Sequence, residues 1–150
     1  MSEFYQQILV PMDGSKESQA ALQRAIQLAK SQGKDQQSQL TLANVIDTRA
    51  IHNISAFDNS MVDTVTEDAR KMLENYQAEA KKAGVQTVDY RIDYGSPKAI
   101  LAHDIPEEIH ADLIVIGATG LNAVERLVVG SVTSYVTRIS TVDVLVVREK

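Results

Sequence analysis

The stretch Leu113-Ile114-Val115-Ile116 contains no polar residue and ends on Gly117-Ala118-Thr119-Gly120. An apolar run rich in branched side chains and stopped by glycine suits a strand covered on both faces, as in a parallel sheet. Parallel strands need crossover connections, and these are usually helices that supply the cover. The rest of the chain provides both parts. Gln7-Ile8-Leu9-Val10-Pro11-Met12, Leu40-Thr41-Leu42-Ala43-Asn44-Val45-Ile46 and Val144-Leu145-Val146-Val147 read as further strands. Val88, Tyr90 and Ile92 alternate with polar residues, so that strand buries one face and belongs at an edge.

Between these runs the apolar period lengthens. After the turn Asp13-Gly14-Ser15, with Ser15 as N-cap, Ala21, Leu22, Ala25, Leu28 and Ala29 share a helix face that ends near Gly33. From Ser60 to Ala83, Met61, Val65, Ala69, Met72, Leu73, Tyr76, Ala80 and Ala83 form a second stripe, stopped by Gly84. Gly95-Ser96-Pro97 opens a short helix, with Ser96 as cap and Pro97 at its first position. It carries Ile100, Leu101 and Ile105, and Pro106 is expected to limit its length. Ser131 is placed to cap a helix through Val132-Thr133-Ser134-Tyr135-Val136. Lys34 to Ser38 reads as a loop, and Thr48 to Asn59 as a long, mobile connection. Strands alternating with helices predict one doubly wound α/β domain over residues 1–150.

Composition narrows the partners. With 44% apolar and 23% charged residues the chain reads as a soluble globular domain. A net charge of −5 argues against general affinity for nucleic acid or anionic membranes, which require basic surface. Cysteine is absent, so disulfides and thiolate metal sites are excluded. No apolar run approaches the roughly 20 residues of a membrane span. The start, Met1-Ser2-Glu3-Phe4-Tyr5, has neither the basic region nor the apolar core of a signal peptide, so the expected location is cytoplasmic.

In a doubly wound sheet, ligands bind outside the carboxyl ends of the strands. Pro11-Met12-Asp13-Gly14-Ser15 and the segment from Gly117 to Thr133 should meet there. Backbone N–H groups at the start of the helix after Gly130 would favour an anion. The chain thus reads as built for a phosphate-bearing ligand. The Walker loop is excluded, because Gly130-Ser131 lies between Val129 and Val132 and has no lysine. The dinucleotide fingerprint is excluded too, since the first turn holds a single glycine, Gly14.

These segments resemble the universal stress protein family. The resemblance covers essentially the whole chain. It rests on Ile8-Leu9-Val10-Pro11-Met12-Asp13-Gly14-Ser15, Asn44-Val45-Ile46-Asp47, Gly95-Ser96-Pro97, the pattern Gly-x2-Gly-x9-Gly-Ser with Val132-Thr133, and Val144-Leu145-Val146-Val147-Arg148. It implies a five-stranded parallel sheet in the order 3-2-1-4-5, of the adenine nucleotide α-hydrolase type. It also implies membership of the ATP-binding branch, a homodimer through the last strand, and an unidentified regulatory protein partner. Carried over residue by residue, Pro11, Met12 and Val45 would surround adenine. Asp13 would hold the ribose or a Mg²⁺ on the phosphates, and Gly117 would lie by the ribose. Gly120, Gly130, Ser131 and Val132 would cradle the phosphates, with Thr133 close by. The family's proline before the last strand is replaced here by Ser140-Thr141-Val142-Asp143.

Plainer roles exist for the same residues. Asp13 can close an Asp-Gly turn, and Gly14 and Gly120 can serve positive φ. Val45 is also a core strand residue. Arg126 could reach a phosphate, but pairing in the neighbourhood of Glu125 or plain solvation is the favoured role. His52, His103 and His110 show no paired ligand spacing. With no cation pair and no base to activate water, the site points to sensing rather than to fast phosphoryl transfer. Slow Mg-dependent ATP hydrolysis and a structural dimer with a vestigial site are the alternatives.

Overall fold

The computed structural model describes residues 5–33, 35–49, 59–119 and 129–149. Five strands, β1 (Gln7–Pro11), β2 (Gln39–Ile46), β3 (Val88–Tyr94), β4 (Leu113–Gly117) and β5 (Asp143–Val147), form one sheet in the order β3-β2-β1-β4-β5. Every pairing is parallel. The sheet expected from the sequence is present, with β3 at one edge and β5 at the other. The chain order reverses beside β1, so the crevice at the carboxyl ends of β1 and β4 is where such a sheet takes a ligand.

Helix α1 (Lys16–Lys30) starts as expected: the Ser15 hydroxyl accepts from the Ser18 N–H at 3.1 Å. Its buried face, Ala21, Leu22, Ala25, Ile26 and Ala29, packs with Ile8, Val10, Leu40, Leu42 and Val115 into the core of one sheet face. Helix α2 (Asn59–Lys82) covers the same face with Leu73 and Ala80 fully buried. Val65, placed on its buried stripe by the sequence, is 39% exposed. The first turn of the helix packs instead through Met61 and Val62, against Ile46 and Ile92 near the ends of β2 and β3.

The opposite face is covered by a helix in three parts and by one at the far end. These are α3 (Pro97–Ala99), a π-helical turn (Ile100–Asp104), α4 (Ile105–Ile109) and α5 (Ser131–Ile139). Leu9, Ala43, Leu101, Ile105, Ile114, Ile116 and Val136 form the second core. The expectation that Pro106 limits its helix is not met. Proline has no N–H and crowds the carbonyl four residues back. The π-helical turn widens the ladder at that point, with the Ile105 N–H bonding the Ile100 carbonyl, and the helix runs on to Ile109. It ends at His110, whose φ of 55° does the work usually given to glycine. Two capping expectations also change. Ser96 holds the N-cap position without a side-chain bond. The N-cap of α5 is Gly130, which puts Ser131 inside the first turn, so that turn is left without a side-chain cap. The expected connection from Thr48 to Asn59 falls almost wholly outside the described residues.

Candidate functional site

A cavity of about 460 Å³ opens at the carboxyl ends of β1, β2 and β4. Of the residues expected there, Pro11, Met12, Asp13, Val45, Gly117, Gly130, Ser131, Val132 and Thr133 all line it. Gly120 and Arg126 lie outside the described residues. Asn44, Pro97, Leu101, Ser18 and Thr119 line it as well and were not read from the sequence as site residues. Asn44 gave a signal that could have been used, being an amide near the carboxyl end of the mostly apolar run of residues 40–46. Its Nδ2 donates to the Met12 carbonyl at 2.8 Å and ties the end of β2 to the end of β1.

The turn after β1 brings Asp13 to the rim. Its Oδ1 accepts from the Ser15 N–H at 2.9 Å, so the turn-closing role is real. The carboxylate is nevertheless exposed, and it is the one charged side chain among the described residues lining the cavity. Gly14 adopts a φ of 85°, as a tight turn here requires, and packs toward the Met72 sulfur. Tyr76 stands nearby on α2. Burial raises its phenol above the ordinary value and a hydrogen bond with Gln19 opposes this, while the charges of Glu79 and Asp13 act with burial.

Gly117 lines the cavity from the end of β4. It continues β4, paired with Val147, and does not turn the chain. A Cβ there would sit 2.7 Å from the Glu17 carbonyl carbon, so its missing side chain makes room for the first turn of α1. The Thr133 hydroxyl is buried and donates to the Gly117 carbonyl at 2.7 Å. The Gly130 N–H donates to the Ala118 carbonyl at 2.8 Å. The internal ladder of α5 begins with the Ser134 N–H on the Gly130 carbonyl. The N–H groups of Ser131, Val132 and Thr133 precede that ladder and carry the positive end of the helix dipole. Chemically, the cavity is lined by apolar Pro11, Ala43, Val45 and Leu101 and by the first turn of α5 with its row of backbone donors. His103 and His110 are exposed and outside it.

The fold is a single α/β domain with five parallel strands in the order 3-2-1-4-5, of the adenine nucleotide α-hydrolase-like kind. The universal stress protein family model matches residues 4–148, and the chain belongs to that family. A Staphylococcus aureus (strain USA300) relative designated a universal stress protein is 41% identical over 144 residues, covering 96% of this chain and 84% of the relative. The universal stress protein UspA from Lactobacillus plantarum superposes with a TM-score of 0.77 at 31% identity, over 98% of this chain and 100% of that one. A universal stress protein solved in complex with cAMP gives 0.72 at 28% identity, over 99% and 100%. Among the described residues no helix is long and apolar enough to cross a membrane.

Proposed function

We propose that this chain is a cytoplasmic ATP-binding regulator of stress tolerance. The observation that carries the reading is the pairing, in one cavity, of an apolar wall at Ala43, Val45 and Leu101 with the backbone donors of Ser131, Val132 and Thr133. A flat base suits the first and phosphates the second. The cAMP complex of a relative supports an adenine nucleotide as the ligand class. Asp13 would carry Mg²⁺, since this ion is commonly held by one or two carboxylates together with substrate phosphates. Bound ATP would order the residues around α5 and shift the population of surfaces offered to a protein partner or to a second copy paired along β5.

Thermal denaturation tests the reading. At about 100 times its dissociation constant, ATP should stabilise the fold by roughly 2.7 kcal/mol. For a domain of this size that raises the melting point by roughly 5–10 °C. An unchanged melting point in millimolar ATP, or an equal rise with inorganic phosphate alone, would sink it. The relative's cAMP complex favours a second reading, a site for a nucleotide with a single phosphate. In that case cAMP or AMP would give a larger shift than ATP.

A further inference from the structure

We infer that Glu17 is a positioning residue for the donor-lined part of the cavity, acting through the carboxyl end of β5. The inference rests on the nucleotide reading above. A glutamate in the first turn of a helix ordinarily faces water and eases the helix dipole. Glu17 does more than that. Its Oε2 accepts from the backbone N–H of Glu149, 132 residues away, at 2.6 Å. Its own backbone fills the space that Gly117 leaves by having no side chain. The next residue, Ser18, lines the cavity.

The contacts form a closed ring beneath the donor row. Glu149 lies two residues past the end of β5, where Val147 pairs with Gly117 and accepts from the Ala118 N–H at 2.8 Å. The Ala118 carbonyl takes the Gly130 N–H, and the Gly117 carbonyl takes the Thr133 hydroxyl. Gly117 then packs back against Glu17. Opening the bond from Glu17 to Glu149 frees the end of β5. It thereby loosens the strand that holds Ala118, and through Ala118 the start of α5. The Ala43, Val45 and Leu101 wall is not part of this ring. Glu17 should therefore govern the affinity for phosphates and leave the affinity for the base alone.

The test compares Glu17→Ala with Glu17→Gln, measuring ATP and adenosine binding by calorimetry. Both variants remove the charge, but glutamine keeps an acceptor for the Glu149 N–H. Losing one such hydrogen bond should weaken ATP binding by about five-fold in Glu17→Ala relative to Glu17→Gln. Adenosine should bind both variants equally. Equal ATP affinity in the two, or a parallel loss for ATP and adenosine, would overturn the inference while wild-type binding stood. Absence of ATP binding to the wild type would instead overturn the nucleotide reading itself. Should Glu17→Ala fail to fold, hydrogen exchange of the wild-type Glu149 amide decides: ATP should slow it, and an unchanged rate overturns the inference.

Discussion

Part of the cavity wall is made of side chains, Ala43, Val45 and Leu101, and its shape follows from the packing of the second core. Another part is backbone, the first turn of a nine-residue helix, held by bonds to Gly117 and Ala118 at the end of β4. Apolar packing is non-directional, so the first part tolerates exchange of one apolar residue for another of similar volume. Hydrogen bonds and close backbone approach are directional. The second part therefore depends on atoms being held within a few tenths of an ångström. In the proposed function one part sets affinity for the base and the other for the phosphates.

The largest effect should come from Leu101→Ala, at a residue 6% exposed in the second core. Deleting such a side chain costs about 2–5 kcal/mol of stability. Denaturant titration should show this loss, and ATP and adenosine affinities should fall together. A loss confined to ATP would break the division between the two parts. Gly117→Ala comes next, because its Cβ would meet the Glu17 backbone. Overpacking of this kind costs about 1–3 kcal/mol. Its unfolding midpoint should fall, and an unchanged midpoint would mean that α1 yields freely. Thr133→Val leaves the Gly117 carbonyl without its hydroxyl donor and should cost about 1–3 kcal/mol, with ATP weakened more than adenosine. Equal weakening would place Thr133 in the core alone.

The smallest effect is expected at His103, two residues beyond Leu101 but exposed and outside the cavity. Its ring lies 3.0 Å from Asp104 and from Glu107, and Asp104, then Glu107, raise its proton affinity above the ordinary imidazole value of 6.5. A raised folded-state value means that the ion pairs stabilise the protein fully below the unfolded value. That contribution fades as pH rises through the folded one. His103→Gln should flatten the stability profile just above pH 6.5 and leave nucleotide affinity unchanged. A change in affinity would tie the His103 ion pairs to the site.

Much of this was legible in the chain. Apolar runs and helical stripes gave the five strands, their alternation with helices and the edge position of β3, because burial of one face or two leaves a period in the sequence. Ser15 and Gly14 were readable because a cap and a positive φ are local demands. Ser131 was misread as a cap because a serine one position inside the helix has the same neighbours in sequence. Pro106 was misread because local rules forbid what the π-helical turn allows. Leu101 and Asn44 were missed as site residues, since nothing local marks which apolar or amide side chain will face a cavity.

The sequence by itself determined the fold class, the strand order through family resemblance, and the two segments that meet at the crevice. These follow from periodicity and from motifs confined to a few neighbouring residues. Only the tertiary structure decided what each glycine is for and which donors remain at the start of α5. It alone joined Glu17 to Glu149 across nearly the whole chain. Gly117 and Gly14 look alike as letters. One is required by a backbone arriving from another helix and the other by its own torsion angle, and only the first needs the folded chain to be seen.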